Sequence, residues 1–203
     1  MGSGQKEELT HIKTMNGRDI FDKYDRLIQI CARAMSVFPR GFVQWVYRCH
    51  NGRGKWAILV RYICLKAAAK SIGKNVCIMD HVYFQFWENL EIDDNVSIHE
   101  QCNINASGGV RIGRDVSIAH GTSVVSFNHT WEDTSIPIKY NPSVPLPVVI
   151  ADDVWVGCGV RILGGVTVGS RVVIAAGAVV TRDCEPNGVY AGVPAHRVKG
   201  TAN

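Results

Sequence analysis

The stretch Val148–Val180, VVIADDVWVGCGVRILGGVTVGSRVVIAAGAVV, places an aliphatic residue at every sixth position: Ile150, Val156, Ile162, Val168, Ile174 and Val180. Two residues before each stands another apolar side chain: Val148, Val154, Val160, Val166, Val172 and Ala178. The repeating unit is apolar-x-apolar followed by three mostly polar or small residues. Alternation at period two puts both apolar side chains on one face of a strand. A helix at 3.6 residues per turn cannot hold a period of six. Strands this short do not make an ordinary sheet. They suit a three-sided prism in which each flat wall takes one strand per turn, so that three hexapeptides make one coil.

The same beat runs through the preceding sequence as Ile72, Ile78, Phe84, then Ile92, Ile98, Ile104, then Ile112, Ile118, Val124. Two extra residues follow Phe84 and Ile104, as corner bulges would require. Of the positions two residues before a beat, Lys70 and Thr122 alone are not apolar. Fifteen beats predict a mainly β fold of about five coils, roughly 24 Å tall at ~4.8 Å per coil. Columns of stacked Ile and Val fill its interior.

Other parts of the chain lack this beat. Residues 18–38 carry Ile20, Tyr24, Leu27, Ile28, Cys31, Met35 and Phe38 at helical spacing. Pro39 and Gly41 interrupt it. Further helices are expected over Phe42–Cys49 and Trp56–Lys70. Three regions follow: a helical segment 1–70, a β-helix 71–184 with an inserted loop 127–147, and a tail 185–203. A solenoid needs its ends covered, because open strand edges invite aggregation, so both flanks are expected to cap it. The start, MGSGQKEELT, is too polar for a secretory signal.

Composition narrows the class. Of the 203 residues, 46% are hydrophobic and 20% charged, as in ordinary globular protein, and no apolar run approaches membrane-span length. Seven cysteines, with no CxxC pair, argue against a disulfide framework or zinc knuckle and for a reducing cytoplasm. The net charge of +4 is uneven: ten Lys or Arg and no Asp or Glu lie between Arg26 and Met79. Such a block solvates a face or meets an anionic surface. Arg61 and Lys66 are candidates to meet the inner face of a membrane, and no nucleic-acid partner is expected.

The beat stops at Val124 and resumes at Ile150. The gap holds Pro137, Pro142, Pro145 and Pro147, with His129 near its start. Long loops on regular scaffolds usually carry function. A neutral imidazole accepts a proton at cellular pH, so His129 could take one from a hydroxyl attacking a thioester, a general-base contribution of about 10²–10⁴ in rate. Its second ring nitrogen must be held, and Glu132 or a backbone carbonyl could hold it.

HTWEDTSIPIKY, DVWVG, GAVVT and AGVPA resemble the hexapeptide-repeat acyltransferases, the galactoside and maltose O-acetyltransferases among them. The resemblance covers about Ile72–Lys199. The first seventy residues look more like the transferases of bacterial polysaccharide clusters. It implies a left-handed parallel β-helix, a homotrimer with active sites shared between chains, and acetyl-CoA as co-substrate without a metal. It further implies His129 as catalytic base, with Asn105, Asn103, Trp131, Glu132 and Trp155 around a sugar or glycan acceptor. Coenzyme A would lie against Cys158, Ala176, Gly177, Thr181 and Arg182, with His196, Arg197 and Lys199 nearby.

Three other readings stand beside this one. An antibiotic or amino-sugar acetyltransferase would share the histidine and the loop. A purely structural solenoid would need neither. The zinc carbonic anhydrases use the same prism, but no two histidines here are four residues apart, and His81, His99 and His120 fall at different offsets in their hexapeptides.

Overall fold

The structure, a computed structural model, describes residues 17–201. Residues 1–16 of the expected helical segment and the side chain of Ile20 lie outside the described residues. Three helices, α1 (Gly17–Ser36), α2 (Arg40–Cys49) and α3 (Lys55–Ala68), precede a solenoid of two- and three-residue strands. The beat residues pair in parallel across coils in the expected register. Ile72, Ile92, Ile112, Ile150 and Val168 form the column of the first wall. Ile78, Ile98, Ile118, Val156 and Ile174 form the second. Phe84, Ile104, Val124, Ile162 and Val180 form the third. All are buried, as are the residues two before them from Val76 onwards. The coils wind as a left-handed parallel β-helix. Thr122, the polar exception in the interior, donates its hydroxyl to Gly157 O at 3.1 Å, which removes the cost of burying it.

The coil count exceeds the expected five. Beyond Val180, where the hexapeptide pattern fades, Cys184 bridges Val168 in parallel and Val189–Tyr190 pair with Val173–Ile174. The tail thus lays down a partial sixth coil. It then folds His196–Gly200 back antiparallel on Gly188–Ala191 and closes that edge. Backbone-to-backbone pairing carries this coil, so side-chain periodicity did not reveal it.

At the other end the helices do chemical work that charge counting misses. Within the solenoid, carbonyls of one coil accept N–H groups from the coil below: Met79 N donates to Ile98 O, Cys77 N to Val96 O and Gly73 N to Ile92 O. The first coil has no coil beneath it, and side chains supply the missing donors. Lys66 Nζ reaches Ile72 O at 2.6 Å, Tyr62 OH reaches Gly73 O at 2.7 Å, and Arg61 Nε reaches Ile78 O at 3.0 Å. Tyr47 OH reaches Val82 O at 2.9 Å, and Trp87 Nε1, from the first coil itself, reaches Phe84 O at 2.9 Å.

Arg61 also donates through Nη1 to His50 O and to Gly52 O, fastening the turn between α2 and α3. It is 1% exposed. Burial holds its pKa below the usual guanidinium value, an effect that the nearby Tyr47 and Asp80 oppose. Lys66 is half-buried, and burial likewise lowers its pKa. The expectation that these two charges face a membrane is therefore corrected: both are turned inward onto backbone carbonyls, because an unpaired carbonyl at a buried sheet edge is costly.

Candidate active site

The loop leaves the prism at the corner between the third and first walls. Ser126, fully buried, forms its root: its hydroxyl donates to Asn105 O at 2.8 Å and accepts from Gly108 N at 2.9 Å. The returning strand is tied by Leu146 N to Ser126 O at 2.8 Å and by Gly165 N to Leu146 O at 3.2 Å. Two glycines make room for this crossing. A Cβ on Gly108 would collide with Ser126 O and lie 2.6 Å from Leu146 N, and one on Gly164 would lie 2.9 Å from Leu146 Cβ.

The loop is more ordered than its prolines suggest. Phe127–His129 pairs antiparallel with Ser143–Pro145. Thr130 N donates to Pro142 O at 3.0 Å, and the buried Asn141 accepts from Asp133 N at 3.1 Å and donates to Asp133 O at 3.2 Å. His129 and Phe127, two apart on a strand, share a face, and their rings meet edge to face at 5.5 Å. Among the described residues neither ring nitrogen of His129 has a hydrogen-bond partner. Glu132 does not hold it: that carboxylate accepts Trp131 N at 3.0 Å. Both His129 and Trp131 are exposed.

The third wall and its two edges gather half of the sequence candidates. Asn103 and Asn105 project from its outer face in the strand Asn103–Asn105, where Asn105 Nδ2 donates to Gln85 Oε1 at 2.6 Å. Cys158, Ala176 and Gly177 form the corner at one edge of this wall, with Gly177 N donating to Cys158 O at 2.8 Å. Thr181 and Arg182 stand exposed at the opposite edge. Trp155 lies on the second wall, 58% exposed, in the register Ser117–Trp155–Val173. His196, Arg197 and Lys199 belong to the final strand, also against the second wall, and Lys199 shares a groove with Trp155, Asp153 and Arg171. One chain thus divides its candidates between two walls. Arg161, which periodicity marks only as an outward residue between two beats, lies on the third wall. Its Nη1 donates to Gly121 O, Gly159 O and Val160 O at 2.8, 2.9 and 3.1 Å.

The corner between the second and third walls has a further property. The residue there is left-handed in every coil: His81, Gln101, Gly121, Gly159, Gly177 and, in the partial coil, Gly192. His81 and Gln101 hold φ of 56° and 60°, so conformation alone does not demand glycine. Nor does packing, since a Cβ on Gly159 or Gly177 would meet nothing within 4 Å. The upper coils therefore present a seam of bare backbone flanked by small residues. Among the described residues no group of three His, Cys, Asp or Glu is placed to hold a metal ion.

The model of the bacterial transferase hexapeptide (six repeats) matches residues 147–182. The chain is 32% identical over 136 residues to the galactoside O-acetyltransferase of Escherichia coli (strain K12), covering 66% of this chain and 66% of that one. A lipopolysaccharide biosynthesis O-acetyl transferase by name, from the same strain, is 35% identical over 114 residues, or 52% of this chain and 58% of its own. The chain thus spans 66% and 58% of the lengths of these two relatives. A solved galactoside acetyltransferase in complex with coenzyme A superposes with a TM-score of 0.71 at 28% identity, covering 79% of this chain and 80% of that one. Register, coil geometry and these similarities agree: the chain carries the repeat of the hexapeptide transferases over residues 147–182 and resembles the hexapeptide-repeat acyltransferases in fold and sequence.

Proposed function

We propose that this chain transfers an acetyl group from acetyl-CoA to a hydroxyl of a sugar, in the cytoplasm and in the service of surface polysaccharide synthesis. The observation that carries the reading is the place of His129 near the root of the only long loop among the described residues, in a hairpin that springs from one edge of the third wall, whose other edge is the bare seam of Gly159 and Gly177. The neutral imidazole takes the proton of the acceptor hydroxyl as its oxygen attacks the thioester carbonyl. The C–S bond then breaks, and the coenzyme A thiolate receives the proton from the imidazolium. The products are an acetyl ester and free thiol. The pantetheine arm lies along the seam, and Arg182 and Arg161 offer charge to its phosphates. Trp155 and Lys199 stand on the second wall, so a homotrimer that sets the second wall of one copy against the third wall of the next completes the site. The relatives named for galactoside and lipopolysaccharide O-acetylation support the sugar acceptor.

Free-thiol release from acetyl-CoA, followed over a panel of sugars, amino sugars and aminoglycosides, tests the acceptor. Turnover with sugar hydroxyls is expected, and turnover with amines alone would transfer the reading to N-acetylation. A second test addresses the seam. Asn holds the left-handed conformation at Asn75, Asn95 and Asn187, so Gly177→Asn should change stability by no more than about 1 kcal/mol. Its side chain would occupy the seam and weaken coenzyme A binding roughly tenfold or more, which is the ~1.4 kcal/mol that a displaced contact costs. Calorimetric titration with coenzyme A decides this, and unchanged affinity would place the arm elsewhere.

A further inference from the structure

The outward faces of α1 and α2 are apolar, which a capping element does not require. On α1, Leu27, Ile30 and Ala34 are exposed at i, i+3 and i+7, and Val37, 84% exposed, carries the stripe past the helix end. The opposite face, with Ile28, Ala32 and half-buried Met35, packs inward. The stripe continues through Phe38, Phe42 and Trp45, whose rings follow one another at 5.0 and 5.8 Å. Val43 and Tyr47, on the other side of α2, are buried. Each helix therefore has two apolar faces, and the cap uses one.

Arginines border the unused face. Arg26 and Arg33, seven residues apart, flank the stripe on α1, and Arg48 does so on α2. None of the three makes an ion pair among the described residues. Asp25 is the one acidic side chain described on these helices, and it is half-buried and pairs with Lys74 at 3.6 Å. A second copy of the chain would bring the same cationic excess against itself, which like-charge repulsion opposes. A purely acidic peptide would leave the aliphatic run uncovered. An apolar stripe with Phe and Trp, bordered by Arg, suits the plane between lipid headgroups and acyl chains. We propose that this face docks on a membrane surface rich in anionic phospholipid, with Arg26, Arg33 and Arg48 on the phosphates and Ile30, Val37, Phe42 and Trp45 entering the interface. The inference does not depend on the acetyl-transfer reading.

The test is sedimentation of the full chain with phosphatidylcholine vesicles, with and without phosphatidylglycerol. Binding to the anionic vesicles, declining as salt rises, is expected, with little binding to phosphatidylcholine alone. Each arginine near an anionic surface is worth about fivefold in partition, so Arg26→Gln with Arg33→Gln should weaken binding by about 25-fold. Ile30→Ser with Trp45→Ser should weaken binding to the anionic vesicles roughly tenfold or more. All these side chains face solvent, and an unchanged thermal midpoint verifies that the variants are folded. Equal sedimentation with neutral and anionic vesicles, no sedimentation, or variants that bind like the wild type would overturn the proposal. So would a drop in oligomeric mass of the Ile30/Trp45 variant without lipid, which would make the stripe a contact between copies.

Discussion

Replacing His129 with alanine should lower the rate of acetyl transfer by about 10²–10⁴-fold, the usual contribution of a positioned general base. Folding should be almost untouched. The ring is exposed, its described contact is the edge of Phe127, and exposed side chains of this kind alter stability by about 0.5 kcal/mol or less. The coenzyme A site should also survive, because the seam residues sit at the far edge of the wall. The expected signature is a fall in kcat, with coenzyme A affinity and thermal midpoint retained. Steady-state kinetics with a saturating sugar acceptor would show it. A variant that keeps wild-type turnover removes the imidazole from the reaction, and one that also loses coenzyme A affinity points to a disturbed loop root at Ser126 and Gly108.

Arg61→Met should cost about 3–5 kcal/mol of stability. Methionine keeps much of the volume but none of the donors. Three carbonyls lose their partner, the buried Ile78 O and the part-buried His50 O and Gly52 O, and an acceptor without one costs about 1–3 kcal/mol when buried and less where water reaches it. Relief from burying a guanidinium offsets part of this, which is why the estimate lies below the simple sum. Urea denaturation would read the loss as a lower midpoint at similar slope. Lys66→Met removes one such bond, to Ile72 O, and should lose less. A loss below about 1 kcal/mol for Arg61→Met would mean that water reaches those carbonyls once the guanidinium is gone.

These two residues show where the sequence could be read and where it could not. The walls were legible down to the partner of each beat, because burial on one face of a short strand forces an apolar residue every second position and every sixth. The loop that carries His129 was legible because it breaks so regular a pattern, and the role of its imidazole is the proposal that His129→Ala tests. Arg61 was misread. Its role depends on a helix lying across the open end of the first coil, and a side chain bonded to backbone carbonyls leaves no periodic trace. The same holds for Asn141, whose ties to Asp133 order a segment that looked irregular. Arg161 went unnoticed because an outward position tolerates any polar residue. Its bonds to Gly121 O and Gly159 O depend on how coils stack, not on what precedes or follows it in the chain.

The inserted loop also bears on how the chain collapses to its native form. Neighbouring coils elsewhere are joined over short distances in sequence: Lys74 meets Asp94 across 20 residues and Arg171 meets Asp153 across 18. Arg114 meets Asp152 across 38. Chain-closure entropy grows only with the logarithm of length, so that wider span adds about 0.6 kcal/mol to docking the fourth turn on the third. The excursion is thus a mild kinetic hurdle within a zipper of local steps, and this corner can be lengthened or shortened to suit a different reach with little effect on assembly of the rest.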